Sequence, residues 1–228
     1  MSFKILFEDE YFLVAEKPAG LPSQPTVDKK RPDFFTSLKK QVSEPPHSLN
    51  YLGLHHRLDR DTSGVMIFTK QKAANDSLAD LFKSHRIQKT YLCLTSRRKM
   101  PPQWQVENFL AEYRDPKLKK IRMRSVNSGG QKAITDFRLL EDYARGMLIE
   151  AKPRTGRMHQ IRVHLAEAHM GIFGDDIYPC LKIPQPPRLM LHAHALEFEH
   201  PFTHKAIRIE SPMPEDMQAF AVDLSIKK

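Results

Sequence analysis

The sequence predicts an α+β fold in which short strands outnumber helices, and three observations support this. Short runs of alternating or continuous apolar residues recur along the whole chain, as strands require. Fewer stretches, such as the one that begins at Asp33, place apolar residues at helical spacing. The 228 residues suffice for one large domain or two small ones and can bury a sizeable core without disulfides. Because no internal repeat or low-complexity segment appears, we expect one domain over residues 1–228.

Composition narrows the class of protein and the kind of partner. The 36 lysines and arginines exceed the 27 acidic residues. The resulting formal charge of +9 indicates a polyanionic binding partner, most simply nucleic acid. Charge alone does not separate RNA from DNA or from acidic lipid. Cys93 and Cys180 lie far apart without metal-type spacing, which fits a reduced compartment. The acidic residues 8–10 argue against a signal peptide, and no apolar run suits a membrane span, so we expect a cytoplasmic protein. We also expect it to be a monomer.

The first part of the chain predicts two strands, a loop and a helix. Residues 3–7 and 12–15 are apolar runs on either side of an acidic turn. Residues 17–22, Lys-Pro-Ala-Gly-Leu-Pro, must form a loop because proline and glycine do not suit a strand. Phe34, Leu38 and Val42 then follow helical spacing until two prolines end the helix.

The stretch 55–64, His-His-Arg-Leu-Asp-Arg-Asp-Thr-Ser-Gly, is the strongest candidate for chemistry. Alternation predicts an extended segment that presents Arg57 and Asp59 on one face and ends at a turn. Positive charge from Arg57 and Arg60 favours an ionised Asp59, which suits a nucleophile or a base. The alternative is an exposed cluster of ion pairs with little energetic value.

The next elements are a buried strand, a helix and a strand with a tyrosine. Residues 65–68 form a continuous apolar run, and apolar residues between positions 74 and 85 follow a helical stripe. Alternation returns over residues 87–95 and places Lys89 and Tyr91 on one face. From the pattern alone, Tyr91 could equally be a packing residue.

A basic section follows over residues 114–132, after a possible strand at 106–110. Cations there face almost no acid: Arg114, Lys117, Lys119, Lys120, Arg122, Arg124 and Lys132. Such a section is either a solvated hairpin or a clamp for a nucleic-acid backbone.

The last third of the chain predicts strands, a helix, strands and a closing helix. Residues 133–140 and 147–152 read as a strand pair, and the Thr-Gly turn at 155–156 leads into a helix with an apolar stripe from Met158 to Ala168. His159 and Arg162 lie beside that stripe, where an arginine commonly reaches solvent or a surface acid. Beyond a proline-rich connection at 179–187 and the stretch 189–196, strands are expected at 197–199 and 206–210, with a turn at 201–205 between them and a closing helix around Phe220.

Four motifs together resemble one enzyme family. His56-Arg57-Leu58-Asp59, followed by Thr62-Ser63-Gly64, resembles the signature of the RluA-type pseudouridine synthases. Residues 89–91, 155–164 and 191–201 resemble the later motifs of that family, in the same order. Residues 16–20 and 171–178 resemble two of its loops, although Glu16, His169 and Gly171 depart from the usual residues.

The resemblance implies a fold, a reaction and a set of site residues. The implied fold is a mixed, largely antiparallel sheet flanked by helices, with an active-site cleft. Asp59 would be the catalytic residue, Tyr91 would stack on the target base and Arg162 would form a salt bridge with Asp59. The substrate would be structured RNA, a tRNA or ribosomal RNA stem-loop, and an isomerisation requires no metal or other cofactor. The expected RNA-binding residues are His56, Arg57, Arg60, His159, Lys119, Lys120, Arg122 and Arg124.

Three alternatives stay open at this point. A metal site at His192 and His194, or at His200 and His204, lacks a cluster of further ligands. A catalytically silent RNA-binding or ribosome-assembly protein could keep the same fold without the reaction. An enzyme with an aspartate nucleophile could instead release the base from a free nucleoside, but it would not need the basic section.

Overall fold

The structure is a computed structural model that describes residues 2–28, 30–116, 121–179 and 186–226. Its strands are β1 (Ile5–Glu8), β2 (Phe12–Lys17), β3 (Gly53–Leu54), β4 (Ser63–Thr69), β5 (Gln88–Ser96), β6 (Gln103–Arg114), β7 (Ile121–Val126), β8 (Gln131–Asp142), β9 (Gly146–Pro153), β10 (Leu191–Glu199) and β11 (Ala206–Glu210). Its helices are α1 (Phe34–Ser43), α2 (Asn75–Lys83), α3 (Gln160–Glu167) and α4 (Glu215–Ser225). The α+β class and the largely antiparallel pairing are confirmed.

The chain divides into two compact units. The first consists of Met1–Gln88 and Ala193–Pro212, and the second of Lys89–His192 and Met213–Lys228. No helix in the described residues is long and apolar enough to span a membrane.

The first unit is a sheet whose central strands are buried. Its order is β1, β2, β4 and the part of β10 from Ala193 onward, while β3 also pairs with β4 and β11 with β10. Every residue of β4 is buried, as its continuous apolar run predicts. Leu78 and Leu81 of α2 pack on this core with residues of β2 and β4. Asp33 caps α1 by accepting a hydrogen bond from the Thr36 N–H at 2.9 Å.

The second unit is an antiparallel sheet in the order β5, β9, β8, β6 and β7. Its core joins β5 and β9 to α3 and α4 through Leu94, Ile149, Leu165, Met217 and Leu224, all of them buried. Strands β6 and β7 form a hairpin in which Tyr113 lies opposite Arg122. The basic section is therefore a hairpin where the structure describes it. Lys117, Lys119, Lys120 and Cys180 lie outside the described residues.

Two predicted elements differ from the structure. The extended segment expected to reach Asp59 ends as a strand at Leu54. Beyond it, the ring nitrogens of His55 and His56 bond to β4, and the backbone of Leu58 bonds to the Ser23 hydroxyl, in place of a backbone ladder. The helix expected from Met158 begins at Gln160, because His159 has a left-handed backbone with φ of 54°. Residues 160–165 of α3 are all buried, so this helix has no solvent-facing side there.

Candidate active site

Asp59 lies in the first unit, directly before a tight turn. The Thr62 N–H donates to the Asp59 carbonyl at 3.2 Å and closes this turn. Ser23 fixes the preceding residue twice, since its hydroxyl donates to the Leu58 carbonyl at 2.6 Å and accepts from the Leu58 N–H at 3.0 Å. The backbone on both sides of Asp59 is therefore held, and its carboxylate is half-buried.

Lys17 is the second anchor of this segment, and the sequence did not predict its burial. Its side chain is fully buried. The ammonium donates to the carbonyls of Pro18 and Leu21 at 2.8 Å each, and to that of Arg60 at 2.9 Å. A buried charge is tolerated where such partners replace water. Lys17 therefore ties the Lys-Pro-Ala-Gly loop to the residue that follows Asp59.

The three other predicted site residues of the first unit have different surroundings. His56 Nε2 accepts from the Ile67 N–H at 3.0 Å, and its ring stacks on Phe82. Arg60 is exposed and forms an ion pair with Asp61 at 2.7 Å. Arg57 is also exposed, and its side chain has no hydrogen bond within the described part of the chain. Arg57 is thus an exposed cation two residues before Asp59, and its role in RNA binding stays a prediction.

Tyr91 lies in the second unit on β5, where it pairs with Ala151 of β9. The ring is half-buried and packs on the apolar core of that unit. Lys89, two residues earlier, lies on the same face of the strand. Burial lowers the pKa of the Lys89 ammonium below its ordinary value.

Arg162 is buried in α3 and does not reach solvent, contrary to the common behaviour of an arginine beside an apolar stripe. Its Nε and Nη2 donate to the two carboxylate oxygens of Asp175 at 2.8 and 2.7 Å. Asp175 Oδ1 also accepts from the N–H groups of Ile177 and Tyr178 at 2.9 Å each. This planar, bidentate pair fixes the direction of the guanidinium. The sequence analysis missed Asp175, although its Gly-Asp-x-x-Tyr loop was a signal.

Tyr178 connects α3 to the basic hairpin. Its ring centroid lies 4.8 Å from the guanidinium carbon of Arg122 and 5.4 Å from that of Arg162. Its hydroxyl accepts from the Met123 N–H at 2.7 Å and lies 3.1 Å from His159 Nδ1. Burial raises the pKa of Tyr178 to about 12, so the phenol stays neutral.

Two buried polar side chains fix α3 to the neighbouring strands. Gln160 Nε2 donates to the Ile134 carbonyl and to Thr135 Oγ1, and its Oε1 accepts from the Thr155 hydroxyl and the Arg157 N–H. His164 lies 3.0 Å from both Thr135 Oγ1 and Asn108 Oδ1. Burial lowers the pKa of His164 to about 4, so its ring is neutral at pH 7.

Two cations of the hairpin have partners within the chain. Arg122 forms an ion pair with Asp115 at 2.9 Å, and Arg124 lies over the Tyr113 ring at 5.1 Å. These contacts were not predicted, and a role of either arginine in RNA binding stays a prediction. The same holds for Lys119 and Lys120, which are not described.

Three of the four histidines considered as metal ligands have ordinary partners in the first unit. His194 Nδ1 lies 2.8 Å from the Ser211 carbonyl, His200 forms a pair with Asp9 at 2.9 Å, and His204 lies 3.1 Å from Glu199. Among the described residues, no group of three or more His, Cys, Asp or Glu side chains could hold a metal ion.

The sequence of this chain matches a known protein family and its members. A model of the RNA pseudouridylate synthase family matches residues 11–167. The ribosomal large subunit pseudouridine synthase C of Yersinia pestis is 37% identical over 94% of this chain and 67% of its own length. The ribosomal large subunit pseudouridine synthase D of Neisseria meningitidis is 31% identical over 95% of this chain and 60% of its own.

Solved structures agree with the fold. Human RNA Pseudouridylate Synthase Domain Containing 4 matches with a TM-score of 0.80 over 98% of this chain and 94% of its own, at 23% identity. Human RNA Pseudouridylate Synthase Domain Containing 1 matches with a TM-score of 0.75 over 92% of this chain and 83% of its own, at 25% identity.

Proposed function

The chain belongs to the RNA pseudouridylate synthase family and is an RNA pseudouridine synthase, and from this premise we propose that Asp59 is its catalytic residue. The reaction breaks the bond between N1 of uracil and C1′ of the ribose. The base then turns and rejoins C1′ through C5. The C5 proton is lost and N1 gains one, so atoms balance without an oxidant or a reductant.

The observation that carries this proposal is the setting of Asp59. A half-buried carboxylate follows a backbone segment that Ser23 and Lys17 hold in place. Such support is what a reacting group needs, because misplacement by about 1 Å can slow a reaction by about 100-fold. Asp59 acts on the target nucleoside either by attack on the sugar or by removal of a sugar proton.

The family resemblance assigns roles to two further residues. Tyr91 stacks on the uracil and assists the later proton loss, and Arg162 keeps the aspartate charged. The fixed guanidinium of Arg162 and the half-buried ring of Tyr91 support these roles. Arg57, exposed next to the catalytic segment, fills the space that the flipped uridine leaves in the RNA stack. His56, Arg60, His159 and the basic hairpin complete the RNA-binding set.

We propose ribosomal RNA of the large subunit as the first substrate to test, with tRNA as the second. The names of the curated relatives and the charge of +9 support this choice. The chain spans about two thirds of the length of these relatives. We further propose that residues 1–228 act as a single catalytic domain, as a monomer and in the cytoplasm.

The test uses RNA labelled with tritium at C5 of uracil. Wild-type protein should release tritium without releasing free uracil, and Asp59→Asn should lose the release while it still binds RNA. Asp61→Asn is the matched control, since it removes a neighbouring carboxylate whose partner is the exposed Arg60. Release of free uracil would indicate a base-releasing hydrolase, and binding without release by the wild type would indicate a silent RNA-binding protein.

A further inference from the structure

Two cations of the second unit, Lys89 and Arg157, lie at the turn before α3, and neither has an acidic partner among the described residues. Lys89 Nζ lies 3.4 Å from the position that a Cβ would take on Gly156. Within the described residues, no other atom lies within 4 Å of that position apart from the glycine's own chain neighbours. Arg157 is the next residue. The ammonium therefore lies beside an open, exposed glycine, with a guanidinium following it in the chain.

Arg157 is held by its backbone and by one nitrogen of its guanidinium, Nε. Its Nε donates to the Lys132 carbonyl at 2.9 Å, and its backbone N–H donates to Gln160 Oε1 at 3.0 Å. In the part of the chain that the structure describes, neither Arg157 nor Lys89 has a carboxylate within ion-pair distance. Within the described residues the terminal amino groups of Arg157 have no acceptor, and they can donate to the oxygens of a phosphate.

Neighbouring cations differ in this respect. Lys132 forms an ion pair with Glu107 at 2.6 Å, Arg154 with Asp136 at 2.5 Å, and Lys152 with Glu150 at 3.7 Å. The absence of an acid at Lys89 is costly, since burial already disfavours its charge and lowers its pKa. An anion bound beside Gly156 would offset that cost.

We propose that Lys89 and Arg157 form a binding site for one phosphate of the RNA substrate at the turn around Gly156. This inference rests on the proposed action on RNA. Lys89 shares a strand face with Tyr91 at a spacing of about 7 Å along the strand. If Tyr91 stacks on the target uracil, the phosphate is one that adjoins the flipped nucleotide. Phosphate contacts of this kind position the RNA and carry no sequence information.

The salt dependence of RNA binding tests the site. Each neutralised phosphate contributes about 0.7–0.9 to the slope of log affinity against log salt concentration. Lys89→Gln and Arg157→Gln should each reduce the slope for transcribed large-subunit ribosomal RNA by about that amount. Because the phosphate binds only when both side chains are present, either substitution releases it, and the double variant should lose no more than either single variant. Lys89→Arg should restore the wild-type slope.

Arg154→Gln is the matched control, since it removes the same charge from a cation that Asp136 already pairs with. Its slope should equal that of the wild type. Unchanged slopes for Lys89→Gln and Arg157→Gln in correctly folded protein would overturn the site, and so would losses that add in the double variant. Uridine monophosphate or inorganic phosphate, added at constant ionic strength, should not displace the RNA. Displacement by either would assign the site to a free phosphate.

These outcomes are separate from those of the proposed function. If the wild type releases tritium and the slopes do not change, the proposed reaction is supported and the phosphate site is rejected. If the slopes change as expected but the wild type releases no tritium, the phosphate site is supported and the catalytic proposal is rejected.

Discussion

The guanidinium carbon of Arg162 lies 5.4 Å from the centroid of the Tyr178 ring, while Asp175 holds the same guanidinium by two hydrogen bonds. A cation over an aromatic ring is worth about 0.5–2 kcal/mol, depending on its solvation. Arg162 is therefore fixed along its edge by a carboxylate and across its face by a phenol. Because the Tyr178 hydroxyl also binds the Met123 N–H, the basic hairpin and the arginine share one support.

Substitutions of Tyr178 distinguish its support of the basic hairpin from its support of Arg162. Tyr178→Phe keeps the ring but leaves the buried Met123 N–H without its acceptor, and should cost about 1–3 kcal/mol of unfolding free energy. The rate per folded molecule should stay within a few-fold of the wild type. Tyr178→Leu also removes the ring, and should lower the single-turnover rate at saturating RNA roughly tenfold, equivalent to about 1.4 kcal/mol. Equal rates for the two variants would show that the ring does not position Arg162.

Much of the fold could be predicted because burial leaves a periodic trace in the sequence. The continuous run at 65–68 became the buried strand β4, and the spacing of Phe34, Leu38 and Val42 became the buried face of α1. Each of these elements is recognisable from its own residues. The end of β3 could not be predicted from local residues, because the backbone groups of Leu58 bond to Ser23, which is distant in sequence.

The candidate site could be predicted as a set of residues but not as an arrangement. Asp59, Tyr91 and Arg162 follow from motifs. The pairing of Arg162 with Asp175 depends on a loop whose conformation a single sequence does not specify. The burial of Lys17 contradicts the usual exposure of lysine and depends on three carbonyls that only the folded loop brings together.

Lys17 should contribute strongly to stability. Lys17→Met leaves the carbonyls of Pro18, Leu21 and Arg60 without their donor, and we expect a loss on the order of 3 kcal/mol in urea unfolding. Lys4→Met, at an exposed position of the same unit, should change stability by less than about 0.5 kcal/mol. Comparable losses for both variants would mean that the buried hydrogen bonds contribute little.

Gly64 should tolerate no side chain, for two reasons. Its φ is +119°, and a Cβ there would lie 2.1 Å from the Ala193 carbonyl oxygen, where neither backbone can move easily. Gly64→Ala should therefore cost more than about 4 kcal/mol or prevent folding. Gly20→Ala is the matched comparison, since Gly20 has a φ of +82° but no atom within 4 Å of its Cβ position among the described residues. It should cost only about 1–2 kcal/mol, the strain of the left-handed backbone. Thermal unfolding compares the two, and similar losses would show that the close approach to Ala193 is unimportant.

His164 should make the protein less stable in acid. Asn108 Oδ1 accepts from one ring nitrogen, and the other accepts from the Thr135 hydroxyl, so the folded protein holds the ring neutral. Its pKa is about 4 in the folded chain against 6.5 for an ordinary histidine. As the pH falls from 6.5 to 4, His164 takes up a proton in the unfolded chain but not in the folded chain. The free energy of unfolding therefore falls by about 3 kcal/mol.

Comparison of wild type with His164→Gln isolates this effect from the titration of carboxylates. The variant should be the less stable protein at pH 7, and the difference between the two should shrink by about 3 kcal/mol at pH 4, as measured by urea unfolding. A difference between His164→Gln and wild type that is the same at pH 7 and pH 4 would mean that the folded protein accepts the proton on His164, and that Asn108 and Thr135 do not keep the ring neutral.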